Sequence, residues 1–359
     1  MEKRNAVLWG YFVKNLGDDL MLKAFVDKNK NRYHKIYINS YRKFKPYYSE
    51  MGIKVIAVDS FWYRAVNKIF CTLKLPELYY RIAGYGTDFI MLGGSLFAET
   101  SSASDENQIH NLEYAVDHAE NSYIVGSNFG PYHSRSFFED YEKIFEKCKD
   151  ICFRDRYSYE MFFGLEMVRY APDIVLAGTW EERNKENHDS PAVVISVIDL
   201  ERRAELKDKR VKYEEMLGGI IQYHVQKNDK VILAAFCEFE GDVEACMRIW
   251  KLCGENTNVE IKAYQEFGFL NVLSNAKRIY GARFHSIILA MYYGIPCVPF
   301  IYGKKTYYAL CSYSKSFQAV RIKELEEYSL EKILDACKII EELPEVKKLA
   351  GGQLNGGNR

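Results

Sequence analysis

Glu181-Glu182-Arg183-Asn184-Lys185-Glu186-Asn187-His188-Asp189-Ser190 is a run of ten residues without an apolar side chain. Such a run has nothing to bury, so it marks a boundary between two folding units. Upstream of it, residues 6–9, 35–38, 55–58, 89–92, 123–125 and 151–153 read as short buried strands, several ending in Gly, Asn or Asp. Downstream the pattern restarts with strands at 193–197, 231–235, 259–263, 278–280 and 297–300, and helical stretches at 213–225 and 242–252 lie among them. Strands separated by helical patterns require crossovers and hence parallel sheets. The reading is α/β: two doubly wound, Rossmann-like domains, residues 1–180 and 190–345, facing a cleft. The glycine-rich end, 346–359, is expected to be a flexible tail.

The composition narrows the function. The chain has 359 residues, 48% of them hydrophobic, enough for two cores. Its 49 basic and 49 acidic residues cancel, so no global field recruits nucleic acid and any anion must be held locally. Nine cysteines include no C-x-x-C pair, and Met1-Glu2-Lys3-Arg4 runs straight into a strand pattern. We therefore expect reduced thiols, no leader and a cytoplasmic protein. The 18 uncharged residues between His285 and Lys304 approach the length of a membrane span. Gly294, Pro296 and Pro299 divide them, which predicts a helix of about two turns, a turn and a buried strand instead.

Several strand ends carry candidate ligand-binding residues. After the first strand, Asn15-Leu16-Gly17-Asp18-Asp19-Leu20 allows a tight turn at Gly17 and a helix near Leu20 capped by Asp18 or Asp19. The same residues fit a plain capped turn or an Asp18 aimed at a sugar hydroxyl as base or orienter. No G-x-G-x-x-G fingerprint is present. Gly93-Gly94-Ser95 and Gly126-Ser127-Asn128 repeat the small-residue pattern at later strand ends. At 154–158, Arg154 emerges from a strand and Asp155 is placed to cap the next helix; Arg156 is the competing arginine.

The strongest anion site is Gly281-Ala282-Arg283-Phe284-His285-Ser286, followed past the next strand by Lys304-Lys305. Arg283 offers a planar fork, and a helix mouth adds free N–H groups at the same place. His285 sits in the first turn, where a helix terminus and an arginine depress its pKa and a bound trianion raises it. A histidine hydrogen-bonded within a core is the competing reading. Elsewhere, Trp62, Val66, Ile69 and Leu73 share a helical face, with Arg64, Lys68 and Lys74 falling outside it. Phe61 to Leu75 is therefore either a core-packed helix with a basic outer face or a peripheral membrane contact. No His, Cys or carboxylate spacing reads as a metal site, and no required metal is expected.

With these segments in hand, the chain resembles the polysaccharide pyruvyl transferase family from Gly10 to about Lys305. The carriers are Asn15-x-Gly17-Asp18, Gly93-Gly94 before Phe97, Gly126 with Gly130-Pro131, Arg154-Asp155-x-x-Ser158, Ala171-Pro172-Asp173, Arg283-x-His285, Gly294-x-Pro296 and Tyr302-x-x-Lys305. The family's third glycine is Ser95 here and its glutamine after Gly126 is Ser127, departures that bear on the acceptor. The resemblance implies a GT-B-like fold and phosphoenolpyruvate as co-substrate, with no cofactor. It places Arg283, His285 and Arg154 around that donor; we expect Lys305, Lys304 and Ser286 to join them, with the C-terminal domain as the donor side. We expect His285 and Asp18 to be the catalytic pair, and Asn15, Gly17, Gly93, Gly94, Ser95, Ser127 and Asn128 to form the acceptor side.

The implied reaction forms a pyruvate ketal on two hydroxyls of a sugar in a cell-surface polysaccharide or its precursor, lipid-linked or nucleotide-linked, with release of phosphate. Two other readings compete. A GT-B glycosyltransferase would take a nucleotide sugar, and a non-catalytic capsule-assembly protein would take neither donor.

Overall fold

The computed structural model describes residues 4–84, 86–100, 102–180, 191–266 and 268–354. The first unit is built on a seven-stranded parallel sheet in the order β3-β2-β1-β4-β5-β6-β7. Its strands are β1 (Arg4–Trp9), β2 (Tyr33–Ser40), β3 (Lys54–Ala57), β4 (Thr87–Leu92), β5 (Asn121–Ser127), β6 (Asp150–Phe153) and β7 (Val168–Tyr170). Val7 of β1 lies opposite Tyr37 on one side and Phe89 on the other. The second unit is a six-stranded parallel sheet, β10-β9-β8-β11-β12-β13. These strands are β8 (Val193–Val197), β9 (Val231–Ala235), β10 (Val259–Ala263), β11 (Arg278–Gly281), β12 (Cys297–Ile301) and β13 (Val320–Arg321).

Counted from the first strand of each unit, both sheets run 3-2-1-4-5-6, with β7 added to the first. In this order the chain reverses its winding between the first and fourth strands, and ligands sit beyond the carboxyl ends there. Every residue of β4, β8, β9 and β12 is buried, as central strands covered by helices on both faces require. The two cores differ in material. Phe129, Tyr141, Phe145, Phe153 and Phe162 stack in the first, whereas Val193, Ile195, Ile220, Leu233 and Ile249 lead the second.

The units do not divide the sequence as 1–180 and 190–345. One holds the chain to Val13, Asp18–Ala177 and the chain from Glu345 onward; the other holds Lys14–Gly17 and Gly178–Pro344. The polar run 181–190 lies outside the described residues. Residues 346–354 correct the expectation of a flexible tail. Val346–Ala350 is helical, and Gln353 is fully buried in the first unit. Its amide accepts from the Gly126 N–H at 2.9 Å and donates to the Ala171 carbonyl, while Arg169 donates to its backbone carbonyl at 3.3 Å. Glycines alone read as fraying, but one buried amide meeting strand-end backbone groups holds the segment. Residues 355–359 lie outside the described part.

Two short strands, β7 and β13, have no counterpart in the sequence reading, being three and two residues long. The uncharged stretch after Arg283 forms the helix Phe284–Tyr293, a left-handed Gly294 at its end, and β12. No described helix is long and apolar enough to cross a membrane.

Candidate functional site

Each unit gathers one cluster of polar side chains beyond the carboxyl ends of its strands. In the first unit the chain leaves β4 through Gly93 and Gly94, β5 through Ser127 and Asn128, and β6 through Arg154. The Arg154 guanidinium lies over Gly94 so closely that a Cβ there would stand 2.5–2.6 Å from its terminal atoms. That is why the position carries glycine. The fork is taken up by the protein: Nη1 donates to Asp173 at 3.0 Å and Nη2 to the Asn128 Oδ1 at 3.0 Å. Asp173 is fully buried and its other oxygen accepts from the Val175 N–H.

The surrounding loops are fastened by the same motif. Asp155 caps the helix Arg156–Met161 through the Ser158 N–H at 2.8 Å, and the Ser158 hydroxyl accepts from the Phe129 N–H at 2.8 Å. Arg156 is exposed, its guanidinium 4.9 Å from the Tyr170 ring centre, so Arg154 alone of the two belongs to the cluster. The Ser127 hydroxyl donates to the Gly93 carbonyl at 2.6 Å, which makes it a brace between strand ends, and Ser95 is exposed. The Asn128 amide is 2% exposed, and its Nδ2 has no hydrogen-bond acceptor among the described residues. A buried donor left unmet costs about 1–3 kcal/mol.

The second cluster forms at the ends of β8, β9, β11 and β12. Arg283 leaves β11, its backbone N–H bonded to the Ser196 hydroxyl at 3.1 Å, and stands at the N-cap position of the helix Phe284–Tyr293 without a side-chain capping bond. Its side chain does not open onto free space. Nε donates to Asp242 at 2.9 Å, Nη2 to the other oxygen of Asp242, and Nη1 to Glu240 at 2.7 Å. Burial by itself would lower the guanidinium pKa, but Asp242 and Glu240 outweigh it and hold the charge more firmly than usual. Asp242 in turn accepts from the N–H groups of Phe236 and Cys237, closing the end of β9. Ser286 is likewise internal: its hydroxyl donates to the Arg283 carbonyl at 2.6 Å. Both side chains are buried and engaged within the protein.

Other cations hold the outer position. Arg203 donates to Glu240 at 3.0 Å and lies 4.6 Å from the centre of the Tyr302 ring. Burial would raise the Tyr302 phenol, yet Lys305, Arg203 and Arg283 together bring it below its ordinary value. Burial also pushes Glu240 up, and the same cations bring it below the usual glutamate range. Lys305 is half-buried in the first turn of the helix Lys304–Tyr313, and Lys304 is exposed.

His285 is 9% exposed, and its ring lies against Gly17, where a Cβ would stand 1.8 Å from Nδ1. The turn Lys14–Gly17 is docked here by the Leu16 N–H on the Phe236 carbonyl at 3.1 Å. The helix that follows starts at Leu16, four residues earlier than expected from Leu20, with the Asn15 Oδ1 accepting from the Gly17 N–H at 3.1 Å. Asp18 and Asp19 thus lie inside its first turn, where their charge favours the positive helix end. Asp19 is buried against the Tyr48 hydroxyl and Asp18 is half-buried.

Asp173, Asp242, Glu240 and Arg203 are the members of these clusters that sequence reasoning did not select. Asp173 stands in the Ala171-Pro172-Asp173 motif, and its loop position was the available signal. Asp242 is 41 residues from Arg283, with no local pattern to join them.

The chain matches solved structures over nearly its whole length at low identity. UDP-GlcNAc 2-epimerase from Methanocaldococcus jannaschii, solved with UDP-GlcNAc and UDP, aligns with a TM-score of 0.61 at 10% identity, covering 98% of each chain. Anabaena HepE in complex with UDP-glucose gives 0.55 at 12%, over 99% of this chain and 94% of that one. A putative UDP-N-acetylglucosamine 2-epimerase from Listeria monocytogenes gives 0.55 at 10%, over 99% and 94%. These likenesses establish a two-domain α/β fold of the GT-B kind. No curated protein sequence matches the chain. Residues 15–304, from the Asn15 turn to the edge of the Lys304–Lys305 pair, match the model of the polysaccharide pyruvyl transferases, and the chain belongs to that family.

Proposed function

We propose that the protein moves the enolpyruvyl group of phosphoenolpyruvate onto two hydroxyls of a sugar in a cell-surface polysaccharide or its precursor. The observation that carries this reading is the placement of His285. It sits in the first turn of a helix at the end of β11, held against Gly17, with the Arg283–Asp242–Glu240 group beside it in sequence and Lys305 after the next strand. A carboxylate and a phosphate on one small frame suit helix N–H groups and cations of this kind. Lys305 and Arg203 are assigned to the anion, and Arg283 to holding the loop ends that present them. In the first unit Asn128 and the Gly93–Ser95 turn receive acceptor hydroxyls, and Arg154 fixes the Asn128 amide.

Protonated His285 gives its proton to the methylene carbon, leaving an oxocarbenium-like centre at the adjacent carbon. A sugar hydroxyl, deprotonated by Asp18, bonds to that carbon; the C–O bond to phosphate then breaks. The second hydroxyl closes the ketal and its proton restores His285, while Asp18 passes the proton it took to the departing phosphate. Positioned acid catalysis contributes about 10²–10⁴-fold.

The test is phosphate release from phosphoenolpyruvate across galactose, mannose, glucose and N-acetylmannosamine acceptors, with a product heavier by one ketal-linked pyruvate. Thermal stabilisation by UDP in place of phosphoenolpyruvate would instead favour a nucleotide-sugar donor, the ligand class of the M. jannaschii epimerase and HepE structures.

A further inference from the structure

The segment 61–75 of the first unit is built unlike the rest of the surface. The helix Phe61–Thr72 starts at Ser60, whose hydroxyl accepts from the Tyr63 N–H, and it buries Tyr63 in the core. Of the eight large apolar side chains more than half exposed among the described residues, four lie here: Phe61 at 72%, Trp62 at 77%, Ile69 at 57% and Leu73 at 61%. At about 100° per residue, Trp62, Ile69 and Leu73 fall within about 40° of one another. The apolar stripe therefore faces water instead of the core, which settles the choice between a core-packed helix and an outward apolar face.

The charges around it are mainly basic, with Asp59 the one carboxylate in the lining. Phe61, Arg64, Ala65 and Lys68 line a shallow concavity with Arg42 and Asp59. The Asp59 carboxylate accepts from the Arg42 backbone N–H at 2.7 Å. Arg42, Arg64, Lys68 and Lys74 form no ion pair among the described residues, although ion pairs are frequent elsewhere on the chain. Exposed aromatics beside unpaired cations fit an acyl boundary beneath anionic headgroups. A second copy of the chain fits poorly, because a two-fold contact would bring the like-charged rows together.

We propose that this segment, with Arg42, is a docking surface for an anionic lipid bilayer. The helix follows the carboxyl end of β3, so Phe61 and Trp62 stand at the same edge of the parallel sheet as Gly93–Ser95. Docking there brings the acceptor side of the first unit to a lipid surface. It stands independently of which donor the enzyme takes.

Flotation of the full chain with vesicles of phosphatidylcholine, alone or with about a third phosphatidylglycerol, tests it. Binding to the anionic vesicles alone is expected, weakening as salt shortens the Debye length from about 10 Å at 0.1 M to about 3 Å at 1 M. Trp62 is far more exposed than Trp9 or Trp180, so binding should shift indole emission to the blue. The exposed double variants Trp62→Ser with Ile69→Ser, and Arg64→Glu with Lys68→Glu, should each lower partitioning at least about tenfold with unchanged melting temperature. Absence of binding by the wild-type chain, or binding by both variants equal to that of the wild type, overturns the proposal. A dimer dispersed by the serine variant, without vesicle binding, overturns it in favour of a second copy.

Discussion

Arg154 and Arg283 are buried arginines at strand ends of two sheets wound in the same order, yet their surroundings differ. Arg154 meets one carboxylate and one amide, so its pair with Asp173 is neutral and leaves the Asn128 Nδ2 unmet. Arg283 meets two carboxylates through three donors, and Arg203 and Lys305 balance the excess negative charge from outside. The difference teaches that an arginine in a recognisable motif is not thereby a ligand residue. One fixes a partner amide at a strand end; the other locks three strand ends together, with Arg203 and Lys305 on its outer side.

Arg283→Ala makes the sharpest test, because it leaves Asp242 and Glu240 buried without their counter-charge. Breaking a buried pair costs about 3–5 kcal/mol, which urea unfolding of the variant should register. A variant of normal stability that has lost only donor affinity would return Arg283 to the role of direct ligand. His285→Gln should act oppositely, lowering turnover by at least about 10²-fold, or about 2.7 kcal/mol in the barrier, while stability and donor binding survive. Near-normal kcat would remove the histidine from the chemistry.

Arg154→Lys keeps the charge and loses the fork, so one of the bonds to Asp173 and Asn128 goes. A loss of about 1–2 kcal/mol and a rise in acceptor KM are expected. A rise confined to the donor KM would show that Arg154 serves the donor as the family resemblance implies. The smallest effect concerns pH. Glu240 titrates below its ordinary value, so its contribution is fully present above the unfolded value of about 4.3 and fades as pH falls through the folded one. Glu240→Gln should flatten the acid side of the stability profile below about pH 4.3 and leave its neutral side parallel to wild type; an unchanged acid slope would sever Glu240 from the cation group.

The sequence revealed much of the fold because central parallel strands are buried on both faces and appear as plain apolar runs, as in 89–92 and 193–197. β13, two residues at a sheet edge, has no period to detect. The site was legible where a motif is local: Asp155 capping through Ser158 sits within one turn. It was illegible where partners are remote, as with Gly94 beneath Arg154 and Gly17 beneath His285.

By itself, then, the sequence determined the two doubly wound halves and the residue types gathered at their strand ends, since apolar periodicity and turn chemistry are properties of neighbours in the chain. Only the tertiary structure decided which charges face outward. Arg283 and Ser286 turn inward, Lys305 and Arg203 remain at the rim, and the apolar row of 61–75 faces water. Burial and pairing are settled by residues tens of positions apart, and no local pattern encodes them.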